Sequence, residues 1–109
     1  MKQKDIDKLN NYFSNKAGKE ACLVNCIEEH DCLVIGLAGL GGDPVGISFY
    51  YTSYISGPIR WPSSQFECSL FEFDDGEIGV QLEDRKANFI LRSYGPVRLG
   101  DTGEIIPRS

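Results

Sequence analysis

Cys22, Cys26, His30 and Cys32 fall within eleven positions, and thiolates with imidazole are the ligands that zinc prefers. Their order, C-x3-C-x3-H-x-C, lacks the paired C-x2-C spacing with which a tight turn grips one ion. On a strand, Cys22 and Cys26 share a face about 13 Å apart. Two thiolates on one tetrahedral zinc must approach to ~4 Å. They would meet on a helix, so the metal reading depends on which element forms here, and buried structural cysteines are the expected state. No metal and no other cofactor is assigned.

The same cluster offers a nucleophile and a base, because a catalytic thiolate needs an imidazole within hydrogen-bond reach and a lowered pKa. His30 is the only histidine, and it sits in Glu28-Glu29-His30-Asp31, where acidic neighbours raise a thiol pKa. Sixteen Asp and Glu are present, yet no two share an apolar context that would split them into acid and base. Gly36, Gly39, Gly41 and Gly42 lead into Asp43, Pro44 and a strand, whereas a phosphate loop ends in Lys and Ser or Thr and opens a helix. Asp101-Thr102-Gly103 spells the triplet of aspartic proteases, but only six residues follow, too few to bury it. No catalytic residue is assigned, and the balance favours a chain that is not an enzyme.

Charge excludes more. The 109 residues carry 11 Lys and Arg against 16 Asp and Glu, a net −5 and the wrong sign for a broad phosphate-binding surface. Nucleic acid is therefore not an expected partner. Five Lys lie in residues 1–20, and residues 67–84 hold Glu67, Glu72, Asp74, Asp75, Glu77, Glu83 and Asp84 with no Lys or Arg. No run reaches the ~18 to 20 apolar residues of a membrane span, and no apolar run with a cleavage site opens the chain. A cytoplasmic location is expected, with reduced thiols.

These residues must be held by elements that the hydrophobic pattern names. Ile6, Leu9, Tyr12 and Phe13 recur every three or four positions, which predicts a helix over residues 5–16, capped by Asp5 or Asp7 and closed near Gly18. From Ala21 the period shifts to two. A hairpin is expected from residues 21–27 and 32–37, although Leu23, Cys26, Ile27 and His30 also fit a helical stripe. Residues 45–55 read as one strand with Val45, Ile47, Phe49, Tyr51 and Ile55 inward and Tyr50, Thr52 and Tyr54 outward. Trp61 is assigned to an irregular loop between prolines. The run 66–73 changes phase between Leu70 and Phe71, which suggests a bulge or a strand buried on both faces near its end, and Asp74-Asp75-Gly76 a hairpin turn. Ile78, Val80 and Leu82, then Ala87, Phe89 and Leu91, give two more half-buried strands, and residues 97–99 a last short one.

Strands joined by short turns pair antiparallel. The expected fold is mainly β (α+β): an N-terminal helix packed on a curved antiparallel meander, a small sandwich or partly open barrel. A single domain is expected over 1–109, with helix and linker in 1–20, the β body in 21–99 and a polar tail in 100–109. Tyr50, Tyr54, Trp61 and Tyr94 face away from the expected core, either beneath the helix or open beside the acids. The expected function is a non-enzymatic acidic protein-binding module, of the kind an immunity-type inhibitor of a basic toxin represents. Its expected contact residues are Glu67, Glu72, Asp74, Asp75, Glu77, Tyr50, Tyr54, Trp61 and Tyr94. The alternative is a small-molecule or enzymatic β domain with Tyr51, Arg60, Trp61 and Cys68 lining a pocket. A homo-oligomer through strand edges or the Tyr face is a third arrangement.

Overall fold

A computed structural model describes residues 1–27, 29–38 and 44–108, the side chains of residues 25–27 and 29 excepted. The turn expected at Gly39, Gly41, Gly42 and Asp43, Glu28, and the side chain of Cys26 lie outside the described residues. The described residues form helix α1 (Gln3–Ser14) and ten strands, β1 (Glu20–Ile27), β2 (Cys32–Ala38), β3 (Val45–Phe49), β4 (Thr52–Ser56), β5 (Arg60–Trp61), β6 (Glu67–Glu72), β7 (Ile78–Asp84), β8 (Phe89–Ser93), β9 (Val97–Leu99) and β10 (Ile105–Ile106). All strand pairs are antiparallel, in a six-stranded sheet ordered β10-β9-β3-β2-β1-β5 and a four-stranded sheet ordered β4-β8-β7-β6. The result is a mainly-β α+β sandwich with the helix packed on it.

A helix this short does not hold itself together in water, so α1 depends on what its stripe meets. Asp5 accepts from the Lys2 N–H (3.0 Å) at its start, and Ile6, Leu9 and Phe13 are buried in the core. Each such side chain contributes about 1.5–3 kcal/mol by leaving water. The carboxamide of Asn10 donates to the Cys68 carbonyl (2.9 Å) and accepts from the Cys68 N–H (2.7 Å). One side chain thereby satisfies both backbone groups at the outer edge of β6, as a neighbouring strand would. On the opposite flank Lys8 pairs with Glu104 (2.6 Å), and Asp101 accepts from Tyr12 (2.8 Å) and pairs with Lys16 (3.1 Å). The Asp-Thr-Gly triplet is thus an anchoring turn for the helix. Burial alone raises the Asp101 carboxyl, but the Tyr12 hydroxyl and the Lys16 ammonium outweigh it and hold its pKa below the usual value.

The hairpin expected from residue 21 is β1 and β2, joined through a 3-10 turn at Glu29–Asp31. Its inward residues Ala21, Leu33, Ile35 and Leu37 are buried with Ile47, Phe49, Val97 and Leu99 from β3 and β9. Val80, Leu82, Phe89 and Leu91 line the facing sheet.

Four expectations are corrected. Residues 45–55 are two strands in different sheets, broken at Tyr50 and Tyr51, the latter at φ 54°. Tyr50 and Gly95 exchange backbone bonds with their surroundings (Tyr50 N–H to Pro96 O, 3.1 Å; Gly95 N–H to Tyr50 O, 3.2 Å), and the Tyr94 N–H donates to Tyr51 O (3.1 Å). The β3–β4 and β8–β9 links therefore cross from sheet to sheet as a pair and form a corner between the two sheets. The even two-residue break keeps the alternation in phase, which is why the sequence reads straight through it. Second, β6 pairs with β7 without a register shift; shifts occur at Leu23/Asn25 and Thr52/Tyr54 instead. The apparent phase change arises because Phe71 and Phe73 are aromatic residues on the outer face. Third, Trp61 belongs to β5, paired with β1, and is buried. Fourth, the expected polar tail contains β10, paired with β9, and Ile106 is 1% exposed. Two adjacent isoleucines before a proline are too short a run to show a period.

Candidate functional site

The outer face of the four-stranded sheet is set by register. Ser69, Gln81, Arg92 and Tyr54 form one cross-strand row, with Phe71 opposite Gly79 in the next. The Arg92 guanidinium lies over the Tyr54 ring (4.8 Å) and the Phe71 ring (4.4 Å), and its Nε donates to Gln81 (3.0 Å). Such stacked cations contribute about 0.5–1 kcal/mol at an exposed position and hold the guanidinium in one place. Phe71 packs edge-on against Phe73 (4.9 Å), and Phe73 stacks on Tyr94 (3.9 Å, 13°).

Tyr94 ties this strip to the acidic hairpin. Its hydroxyl donates to Asp75 (3.1 Å), whose other oxygen accepts from the Glu77 N–H (3.0 Å). Desolvation and the Asp75 hydrogen bond together raise the Tyr94 hydroxyl above its ordinary pKa. Beyond it, Arg108 lies over both Tyr94 (5.0 Å) and Tyr51 (5.3 Å), and the Tyr51 hydroxyl meets His30 Nδ1 (3.1 Å). Asp31, Tyr51, Thr52, Ser53, Asp75, Tyr94 and Arg108 line a groove of about 230 Å³ at the corner.

The structure brings together Asp74, Asp75, Glu77 and Tyr94 at one end of this face and places Tyr54, 46% exposed, on its edge strand β4. Tyr50 is half-buried at the corner. Glu72 is exposed at the end of β6, beside the hairpin, and Glu67 stands at the other end of that strand, opposite Glu83. Trp61 is the exception: 7% exposed, it packs on Phe89 (4.8 Å) and Phe66 (5.7 Å) and donates to Asp84 (2.8 Å). It leaves the set of contact residues, because a ring that fills the core presents nothing to a partner. Asp84 leaves the acidic surface run with it, buried and accepting also from the Gln65 N–H (2.9 Å). Arg92, Arg108, Phe71 and Phe73 were not singled out by the sequence, which shows no link between residues that meet only across strands.

The helix does not lie on these tyrosines, since its stripe enters the core and its flanks meet β6 and the Asp101 turn. The strip is therefore open. Its rigidity depends on Gly79, where a Cβ would fall on the Ser93 carbonyl oxygen and 2.7 Å from the Phe73 ring. Gly79→Ala is expected to cost about 1–3 kcal/mol in urea unfolding and to displace Phe73, changing the near-UV circular dichroism of the Tyr94 stack. An unchanged spectrum would show that the ring does not depend on that glycine.

Among the described residues, the chemistry considered first finds no assembled centre. Cys22 pairs opposite Gly36 and Cys32 opposite Ile27, four residues apart along β2 and so about 13 Å. Among the described residues no three His, Cys, Asp or Glu side chains converge as a metal site. Burial, with a smaller contribution from Glu67, pushes the Cys68 thiol far above its usual pKa, which makes it a poor nucleophile. Of the residues expected to line a pocket, Tyr51 borders the corner groove, Trp61 and Cys68 are buried, and Arg60 is exposed and pairs with Glu20 (3.0 Å). No described helix is long and apolar enough to cross a membrane. No family model, curated protein or solved structure matches the chain.

Proposed function

We propose that the chain is a non-enzymatic protein-binding module whose partner is basic, in the manner of an immunity-type inhibitor that meets a toxin. The observation that carries this reading is the open outer face of the four-stranded sheet, where Tyr54, Phe71, Arg92 and Tyr94 are held by stacking beside Asp74, Asp75 and Glu77. Tyr and Arg fixed in advance lose little rotamer freedom on binding, which is why such residues dominate interface energetics. The neighbouring acids have a different task. They steer a positively charged partner and set the salt dependence of its arrival.

The test is affinity capture from the source lysate with the wild-type chain, with Asp74→Lys/Asp75→Lys/Glu77→Lys, and with Arg92→Ala. The expected result is a basic protein retained by the wild type, reduced about tenfold by the triple reversal, and eluted as salt rises toward 0.5 M. Arg92→Ala is expected to release it by faster dissociation with unchanged salt dependence. Retention indifferent to all three changes would overturn the proposal.

A further inference from the structure

The sandwich has four sheet edges, and they are not equally guarded. The Asn10 carboxamide caps the Cys68 backbone at the outer edge of β6, against which α1 packs, and β5 and β10 are each only two residues long. The fourth edge is β4, five residues, Thr-Ser-Tyr-Ile-Ser, with no charge and no proline. It pairs with β8 on one side, and among the described residues no hydrogen bond from another segment reaches its other side. Exposed large hydrophobics gather on the same stretch: Tyr51 (37%), Tyr54 (46%), Ile55 (39%) and Ile59 (72%). Proteins that stay monomeric blunt such an edge with lysine, proline, a covering segment or a very short strand. Of these, and of the bulges that serve the same end, β4 has only the register shift between Thr52 and Tyr54, which leaves Tyr54–Ser56 in regular pairing.

We propose that β4 pairs antiparallel with β4 of a second copy of this chain about a two-fold axis, joining two four-stranded sheets into one of eight strands. A second copy fits because antiparallel pairing of identical segments is self-complementary: each strand offers the donors and acceptors that the other needs. The strand is uncharged, so like charges do not meet at the seam, and it holds no counter-charge that would favour an acidic or basic peptide instead. The chain's net −5 does not oppose the pairing. Asp75 reaches the groove beside Thr52 and Ser53, where it lies with Asp31 and Arg108; the other exposed acids of this sheet and its hairpin lie on or between β6 and β7, separated from β4 by β8. At ~4.8 Å per strand, β7 of one copy stands about 24 Å from β7 of the other, several Debye lengths at physiological salt. Ile55 and Tyr54, on opposite faces of β4, each gain cross-strand neighbours from the second copy. Edge pairing uses the backbone and leaves the outer face open, so the arrangement stands independently of the partner proposed above.

The experiment is sedimentation velocity on the purified chain from about 1 to about 500 μM, with hydrogen exchange at both ends of the range. The wild type is expected to move from the chain mass toward twice that mass, and the amides of residues 52–56 to gain protection in step. Ile55→Lys and Ser53→Lys, each placing like charges at the seam, are expected to weaken self-association at least about tenfold with unchanged far-UV circular dichroism. A wild type that stays at the chain mass throughout would overturn the proposal. So would a dimer that both folded variants retain, or one whose new protection falls outside residues 52–56. Should a variant fail to fold, the exchange pattern of the wild type decides alone.

Discussion

Replacing Phe13 with alanine is expected to lower the unfolding free energy by about 3–5 kcal/mol, measured by urea denaturation at constant m-value. Phe13 is 2% exposed at the last turn of α1 and packs on Phe66 (5.4 Å), which in turn meets Trp61 (5.7 Å) and Phe89 (6.0 Å). This chain of rings runs from the helix to β5 of one sheet and β8 of the other, so an alanine at its first link leaves a cavity that both sheets border. A loss of that size is a large fraction of the stability of a domain this small. Tyr12→Phe is the control, since it removes only the hydroxyl that donates to Asp101 at the exposed flank. It is expected to cost under about 1 kcal/mol. Equal losses for the two variants would mean that the helix is held by its polar flank rather than by its apolar stripe.

Asp84→Ala is expected to cost about 2–4 kcal/mol, because it orphans two donors, the Trp61 indole N–H and the Gln65 backbone N–H. Both bonds end on the same carboxylate oxygen, Oδ2, at 2.8 and 2.9 Å. An asparagine with its carbonyl oxygen in that place accepts both. Asp84→Asn is therefore expected to retain most of the stability, within about 1 kcal/mol of wild type, while Asp84→Ala lowers the melting temperature by roughly 8–20 °C. The indole fluorescence of Trp61 reports the same contrast, shifting to the red in the alanine variant as water reaches the ring. If asparagine proved as damaging as alanine, hydrogen-bond acceptance would not be what keeps Asp84 in the core.

Local pattern carried the parts of the fold whose signal is a period. Ile6, Leu9 and Phe13 mark one helical face, and only their burial makes the helix worth forming, so the stripe and the packing agree. Val80 and Leu82 flank Gln81, and Phe89 and Leu91 lie between Asn88 and Arg92 with Ile90 on the outer face, because one side of that sheet meets the core and the other meets water. The candidate face was partly legible for the same reason: Tyr54 and Tyr94 sit at outward positions, and Asp74, Asp75 and Glu77 at a turn that must be exposed. Trp61 was not, since a tryptophan between prolines gives no period to read, and its acceptor lies 23 residues away inside Glu83-Asp84-Arg85-Lys86, a run whose composition signals only surface.

By itself, then, the sequence determined the helix, the antiparallel pairing and which residues of β3, β7 and β8 turn inward, because these follow from the repeat of side chains along a helix or a strand; Tyr51 and Ile55, expected inward, are exposed. Tertiary structure alone decided where the strand after Val45 bends into a second sheet, that Ile106 reaches the core, that Arg92 is clasped between Tyr54 and Phe71, and that β4 lies at the edge of its sheet. Each of those depends on which strand lies beside which. Neighbours across a sheet are set by the sum of many weak contacts between distant positions, and no window along the chain contains that sum.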